Sequence, residues 1–86
     1  MDDVMSRIHE IKLAAEFWDD VWCGRKKFEL RKNDREYQTG DKLVMREYAN
    51  DNYTGRVIKT NIIYMLEDYP GLAEGYAILG IGRIEK

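Results

Sequence analysis

The segment from Gly24 to Arg35 holds the residue types best suited to recognition or catalysis. Its charge is +4, because six cations outnumber Glu29 and Asp34, whereas the whole chain carries −2. The cations are Arg25, Lys26, Lys27, Arg31, Lys32 and Arg35. An acidic body disfavours indiscriminate binding to nucleic acid, but a local basic cluster can hold phosphates at one place. The sequence therefore predicts a localised site; a solvated strand edge protected by lysines is the alternative that charge leaves open.

The spacing within this segment suggests how the site works. Residues 27–32 alternate, which predicts a strand with Glu29 and Arg31 on one face, roughly 6–7 Å apart along the backbone. Lys26 lies at the preceding turn. A carboxylate beside two cations stays ionised and accepts from a base amino group, while the cations contact phosphate or carbonyl oxygens. Lys32 and Arg35 are predicted as phosphate contacts at the rim. Simple pairing of Glu29 with Arg31 is the structural alternative.

Five predicted strands and one early helix surround the segment. We expect strands at 6–13, 27–32, 41–48, 56–66 and 76–84, and a loop at 67–75. The fourth strand is long enough to require a bend or bulge. This order predicts a single mainly β domain with a short helix over residues 1–86. A small barrel or strongly curled sheet is expected, since curling protects the edge strands.

Residues 14–23 change to helical spacing. Apolar residues recur at intervals of three and four, and Gly24 follows as a stop signal. The apolar residues are Ala14, Phe17, Trp18, Val21 and Trp22. We expect both tryptophans to pack against the sheet and Cys23 to face the core.

The octapeptide GRKKFELR fits the pattern G-x-K-x-x-E-x-R through Gly24, Lys26, Glu29 and Arg31. This pattern resembles the signature of ASCH (activating signal cointegrator homology) domains, which belong to the PUA-like superfamily. The segments KNDR, TGDKLVMREY, YTGR and EGYAILGI are similar to a small stand-alone ASCH-like family of bacteria and their phages. The resemblance implies a barrel of about five or six strands with a helix near one mouth.

The same resemblance implies a cleft, lined by the motif, that binds RNA or a nucleotide. It also places Arg46, Glu47 and Tyr76 near that mouth as further candidates. Tyr76 and Tyr69 are candidate stacking residues, because aromatic side chains serve as platforms for bases.

Some ASCH relatives look like amidohydrolases that act on acylated cytidine nucleosides. They use the motif lysine, a threonine at the motif's carboxylate position and a further glutamate. Lys26 matches that lysine, but Glu29 occupies the threonine's place. If a reaction occurs, a desolvated Lys26 is the expected base and Glu29 positions a water. We favour binding over catalysis.

Two further alternatives remain at this point. Cys23 and His9 would form a nucleophile pair if the fold brought them together. A protein-interaction module would use Trp18, Trp22 or the loop around Tyr69 as an exposed anchor.

The composition argues against several other classes. No apolar run approaches the roughly 20 residues that span a bilayer, and Asp2 and Asp3 stand where a signal peptide carries positive charge. We therefore expect a cytoplasmic protein. One cysteine and one histidine cannot complete a structural zinc site or an internal disulfide, so no metal or other cofactor is expected.

Overall fold

The computed structural model of the protein describes residues 6–86, so Asp2 and Asp3 lie outside the described residues. The elements are β1 (Ile8–Ala14), a 3₁₀ turn (Ala15–Phe17), α1 (Trp18–Trp22), β2 (Phe28–Lys32), β3 (Lys42–Ala49), β4 (Asn52–Glu67) and β5 (Tyr76–Ile81). The predicted class, mainly β with one short helix, is confirmed. Within the described range, no helix is long and apolar enough to cross a membrane.

The five strands form one sheet in the order β1-β3-β4-β5-β2. β1 runs parallel to β3, whereas the other neighbours are antiparallel. β1 and β2 are the two edges, and no strand pairing joins them among residues 6–86. The backbone pairing therefore gives a five-stranded sheet and does not by itself show the predicted closure into a barrel.

The core lies against one face of this sheet because apolar and polar residues alternate along its strands. Leu43 and Met45 of β3 and Ile58 and Ile62 of β4 are fully buried. The other buried apolar residues are Ile11, Leu13, Trp18, Val21, Tyr37, Ala77, Leu79 and Ile81. α1 thus contributes only Trp18 and Val21 to the core.

β4 is bulged, as its length predicted. It pairs with β3 through its first half and with β5 through its second, and the register with β5 shifts between Ile62 and Tyr64. A bulge bends the strand and increases its twist. β4 also begins earlier than predicted, because the turn before it consists only of Asn50 and Asp51, which have φ angles of 53° and 63°.

The predicted helix over residues 14–23 is wrong in its extent and in part of its burial. Ala14 ends β1 and the next three residues form a 3₁₀ turn, whose three residues per turn shift the apolar face. Trp22 is 38% exposed and stacks on Trp18 at 6.0 Å between ring centroids, so it lies outside the buried core. Cys23, expected in the core, is also exposed.

The helix does end at the predicted glycine. Gly24 has a φ of +86° and its N–H donates to the Val21 carbonyl at 3.1 Å. Glycine adopts this left-handed conformation without a steric penalty. The chain can therefore turn directly from α1 towards β2.

Candidate functional site

β2 buries the glutamate at its centre and exposes the apolar residues on either side of it. Phe28 and Leu30 are 47% and 55% exposed, whereas Glu29 between them is 5% exposed. In an ordinary amphipathic strand the apolar side chains are buried and the charged side chains face water. The structure therefore places the centre of the basic segment in a partly enclosed environment rather than on the outer surface.

Lys26, Glu29 and Arg31 converge on one point. Lys26 Nζ donates to Glu29 Oε2 at 3.0 Å, and Arg31 donates to Oε1 through Nε at 3.3 Å and Nη2 at 3.2 Å. A carboxylate has about four acceptor positions, so one on Oε2 remains for another donor. The Lys26 and Arg31 side chains are 17% and 27% exposed, which leaves both cations accessible.

An open cleft of about 590 Å³ lies over this charged triad, between β1 and β2. It is lined by Lys12, Leu13, Ala14, Phe17, Lys26, Phe28, Glu29, Leu30, Arg31 and Tyr48. Lys26 Nζ lies 5.2 Å from the Phe17 ring centroid and 4.7 Å from that of Phe28. The cleft thus combines aromatic walls with a charged base, and its volume falls in the usual range for small-ligand sites.

Two arginine side chains reach β1 beside the cleft, Arg31 from β2 and Arg35 from the loop after β2. The Lys42 N–H donates to the Arg7 carbonyl, so the carbonyls of odd-numbered residues point towards β3. Because successive carbonyls alternate in direction, those of the even-numbered residues of β1 point away from β3. Arg31 Nη2 donates to the Lys12 carbonyl and Arg35 Nη1 to the Glu10 carbonyl. Arg35, predicted as a rim phosphate contact, therefore connects β1 with the loop that follows β2.

The free edge of β2 adds backbone groups to the cleft. The Ile81 N–H donates to the Lys27 carbonyl at 3.0 Å and the Asn33 N–H to the Gly75 carbonyl at 2.8 Å. Along an antiparallel strand, successive residues direct their backbone N–H and C=O groups to opposite sides. The odd-numbered residues of β2 therefore bond to β5, and Leu30 directs its N–H and C=O to the free edge. One donor and one acceptor therefore lie beside Glu29.

Two predicted site residues lie on the opposite face of the sheet from the charged triad. Lys32 and Tyr76 are cross-strand partners, and both are exposed. They share the outer face of β2 and β5 with Phe28 and Leu30, since alternate residues of a strand point the same way. The structure does not bring them to Glu29.

Arg46 and Glu47 lie on different faces of β3. Arg46 is on the outer face, with its Cζ 4.0 Å from the Tyr53 ring centroid. Glu47 is buried and accepts from Arg56 at 2.8 and 2.9 Å and from Thr54 at 2.7 Å. The hydrogen bonds from Arg56 and then Thr54 lower the pKa of Glu47 to about 2. All these Glu47 contacts are internal.

The structure does not pair Cys23 with His9. His9 is buried, and its Nε2 lies 2.8 Å from Asp41 Oδ2. Burial raises the pKa of Asp41, but the hydrogen bonds from His9 and from two backbone N–H groups leave that pKa below its ordinary value. Cys23 Sγ contacts the Asp20 carbonyl instead. In residues 6–86, no group of three His, Cys, Asp or Glu side chains could hold a metal ion.

The residues proposed as protein anchors differ in exposure. Trp18 is buried under Arg56, whose Cζ lies 4.1 Å from its ring centroid, whereas Trp22 and Tyr69 are 38% and 60% exposed. Trp22 and Tyr69 therefore remain accessible.

Sequence reasoning missed Lys12, Phe17, Leu30 and Tyr48 as parts of the cleft. Lys12 and Tyr48 belong to strands far from the motif in sequence, and β1 meets β2 only through tertiary folding. Leu30 contributes its backbone, which a side-chain pattern does not report.

The fold and cleft define a small mainly β domain with a charged recess between its two edge strands. Residues 8–81, from the first residue of β1 to the last of β5, match the family described as "Domain of unknown function (DUF3850)", and the chain belongs to this family. The chain is also similar to the uncharacterized 12.9 kDa protein in the GpA 3′ region of Escherichia phage P2. The two are 40% identical over 72 residues, which cover 77% of this chain and 66% of the phage protein, slightly less than two thirds of its length.

Proposed function

We propose that this protein is an ASCH-like domain of the PUA-like fold that binds RNA or a nucleotide in the cleft between β1 and β2. For the fold, the proposal rests on the sequence motif and on the arginine side chains that reach β1. Arg31 and Arg35 donate to β1 carbonyls that would accept backbone hydrogen bonds if the two edge strands paired in a closed barrel. In this proposal the cleft lies where the two edge strands, β1 and β2, meet to close the barrel.

The observation that carries the binding proposal is the burial of Glu29 between two cations while Phe28 and Leu30 face outwards. Burying charges costs free energy, and replacing a buried ion pair by apolar residues is often neutral or stabilising by about 1–4 kcal/mol. Such exceptions to the usual pattern are expected where function, rather than stability, selects the residues. The triad is therefore better explained by recognition than by folding.

The cleft offers complementary groups for a nucleotide. Glu29 Oε2 accepts from an amino or imino N–H of a base, and the Leu30 N–H and C=O pair with an adjacent edge. Lys26 and Arg31 together outweigh the Glu29 charge by one unit, which favours a carbonyl or phosphate oxygen. Phe17 and Tyr48 supply apolar aromatic walls against which a base packs.

Hydrolysis of acylated cytidine nucleosides is supported less well. Lys26 Nζ donates both to Glu29 and to the Phe28 carbonyl at 2.8 Å, so its contacts are those of a hydrogen-bond donor, whereas a general base must accept a proton. The hydroxyl of the amidohydrolase pattern is also replaced by Glu29. Binding without reaction is therefore the function that the contacts favour.

Titration with nucleoside 5′-monophosphates, followed by amide chemical shifts, tests the proposal. Binding should shift residues 12–14, 26–31 and 48, which surround the cleft. Glu29→Gln keeps the side-chain size but removes the charge, and should weaken binding at least about tenfold, the effect of one charge-assisted hydrogen bond. Glu74→Gln, at an exposed position outside the cleft, is the matched control.

Equal affinities of the Glu29→Gln and Glu74→Gln variants would contradict the proposal, as would shifts confined to other surfaces. N4-acetylcytidine is included as one ligand, and chromatography of the mixture detects any cytidine formed. Product that disappears with Lys26→Ala would assign hydrolysis to the cleft in place of simple binding.

A further inference from the structure

The outer face of β1, β3 and β4 is basic, although the chain as a whole is acidic. The strand register places Lys12 opposite Arg46, and Val44 opposite Lys59, with all four side chains on the face away from the core. Lys42 points the same way, and Glu10 is the one carboxylate on these paired positions. Glu85 bridges to Lys59 and so lies on the same side, which gives the face four cations and two anions; it therefore carries +2 and the rest of the chain −4, because the total is −2.

Two aromatic rings in contact with each other lie between two cations on this face. Lys12 Nζ lies 4.2 Å from the Tyr48 ring centroid, and Tyr48 contacts Tyr53 edge to face at 5.0 Å. Arg46 Cζ lies 4.0 Å from the centroid of Tyr53, which is 44% exposed. These contacts form a continuous row from the edge strand β1 to β4.

The row begins inside the candidate cleft. Lys12 and Tyr48 line the cleft and also belong to the outer face, because they lie at the edge where β1 ends the sheet. A chain that leaves the cleft over this edge therefore meets the basic face directly. By contrast, Lys32 is the sole cation among the paired outward positions of β2 and β5, which otherwise carry apolar residues and glycine.

Two anions limit the positive character of the face. Glu10 Oε1 lies 3.7 Å from Arg46 Nη1, but both side chains are well exposed, so this pair is weak and screened by water. Glu85 lies at the β4 margin, where its N–H donates to the Lys59 carbonyl at 2.9 Å. Arg46 thus remains available to a stronger anion such as a phosphate.

We propose that the outer face of β1, β3 and β4 binds the single-stranded nucleic acid that continues from a nucleotide held in the cleft. Lys12, Arg46 and Lys59 contact successive phosphates, and one base stacks on the exposed face of Tyr53. Exposed aromatic rings combined with a basic track are the usual means of holding a single strand. That the nucleic acid continues outward from the cleft rests on the proposed function. The charges and the aromatic rings of the face are observed independently of it.

Fluorescence anisotropy with labelled oligonucleotides of two to ten residues tests this inference. Affinity should rise with length, and log Kd should depend more steeply on log salt for the longer strands. Arg46→Gln with Lys59→Gln should reduce the salt slope by about 1 to 2 units. Tyr53→Leu should weaken the long strand about tenfold at constant charge. Lys32→Gln with Arg83→Gln, both at exposed positions outside β1, β3 and β4, is the matched control.

The same variants separate this inference from the proposed function. Arg46→Gln with Lys59→Gln should leave mononucleotide binding unchanged, while Glu29→Gln should weaken it. If length has no effect, or if the outer-face and control pairs behave alike, the inference is overturned and the cleft proposal stands. If the outer-face variants weaken oligonucleotide binding but Glu29→Gln leaves mononucleotide binding unchanged, the cleft proposal fails instead.

Competition identifies the class of partner. Unlabelled oligonucleotide should displace the label at far lower concentration than polyglutamate of equal charge, because only a nucleic acid offers bases to Tyr53. Equal displacement by polyglutamate would overturn the inference and leave a general anion-binding patch. RNA and DNA oligonucleotides of one sequence are compared in parallel, and binding of either supports a single-strand track.

Discussion

Lys26 and Glu29 meet side chain to side chain, with Nζ 3.0 Å from Oε2, because the chain turns into β2 between them. The Lys26 N–H also donates to the Asp20 carbonyl at 2.9 Å, which fixes the lysine backbone against the end of α1. Arg31 reaches the other carboxylate oxygen from the same face of β2. The spacing of the motif therefore follows from its local structure. Lys26 lies after the end of α1, the chain then turns into β2, and Glu29 and Arg31 lie on one face of that strand.

Replacing the whole triad should separate folding from function. Glu29→Leu alone leaves two cations without their acceptor and should lower the free energy of unfolding by about 1–3 kcal/mol. Adding Lys26→Met and Arg31→Met should restore stability to within about 1 kcal/mol of the original protein, while nucleotide binding is lost. Urea denaturation measures the first quantity and the amide-shift titration the second. A triple variant less stable than the single one would make the triad structural.

Stability should fall in acid because Glu47 titrates differently in the folded chain. Its pKa is about 2 when folded and near the ordinary 4.5 when unfolded, so the unfolded chain binds more protons between these values. The stabilisation is present above about pH 5 and is lost as the pH falls from 4.5 towards 2. Glu47→Gln should therefore be less stable than the original protein at pH 7 and approach it at low pH. Denaturant midpoints at several pH values measure this, and a constant difference would contradict it.

Gly24 should be required for its backbone conformation, and not because a larger side chain would clash with neighbouring atoms. A Cβ at this position meets no atom within 4 Å, but its φ is +86°. Gly24→Ala should therefore lower the free energy of unfolding by about 1–2 kcal/mol, and Gly24→Asn by less, because asparagine tolerates the left-handed region better. Thermal and urea unfolding measure both variants. Equal stability of Gly24→Ala and the original protein would show that the turn relaxes.

Arg35 should stabilise the contact between β1 and the loop after β2. Arg35→Lys keeps the charge but not the geometry of the donor to the Glu10 carbonyl. Amide hydrogen exchange along β1 should accelerate about threefold to tenfold, as expected for the loss of one hydrogen bond. Lys32→Gln, on the outer face of β2, is the control. Unchanged exchange together with weaker nucleotide binding would return Arg35 to its predicted role as a phosphate contact.

Local patterns predicted the strands well because alternation with period two runs through β1, β2, β3 and β5 and through residues 57–63 of β4. The helix was predicted less well, since the 3₁₀ turn at Ala15–Phe17 leaves a five-residue helix with little room for periodicity. β4 began early because Asn50 and Asp51 form a tight turn within a polar stretch that also favoured a longer loop.

The sequence by itself determined the mainly β class, the turn at Gly24 and the placement of Glu29 and Arg31 on one strand face. Each of these depends on residues within a few positions of one another. Tertiary structure alone decided which face of β2 points inwards, and it placed Lys12 and Tyr48 beside the motif while keeping Lys32 and Tyr76 away. The physical reason is that burial and strand neighbours depend on how distant segments pack, and alternation specifies two faces without saying which one is covered.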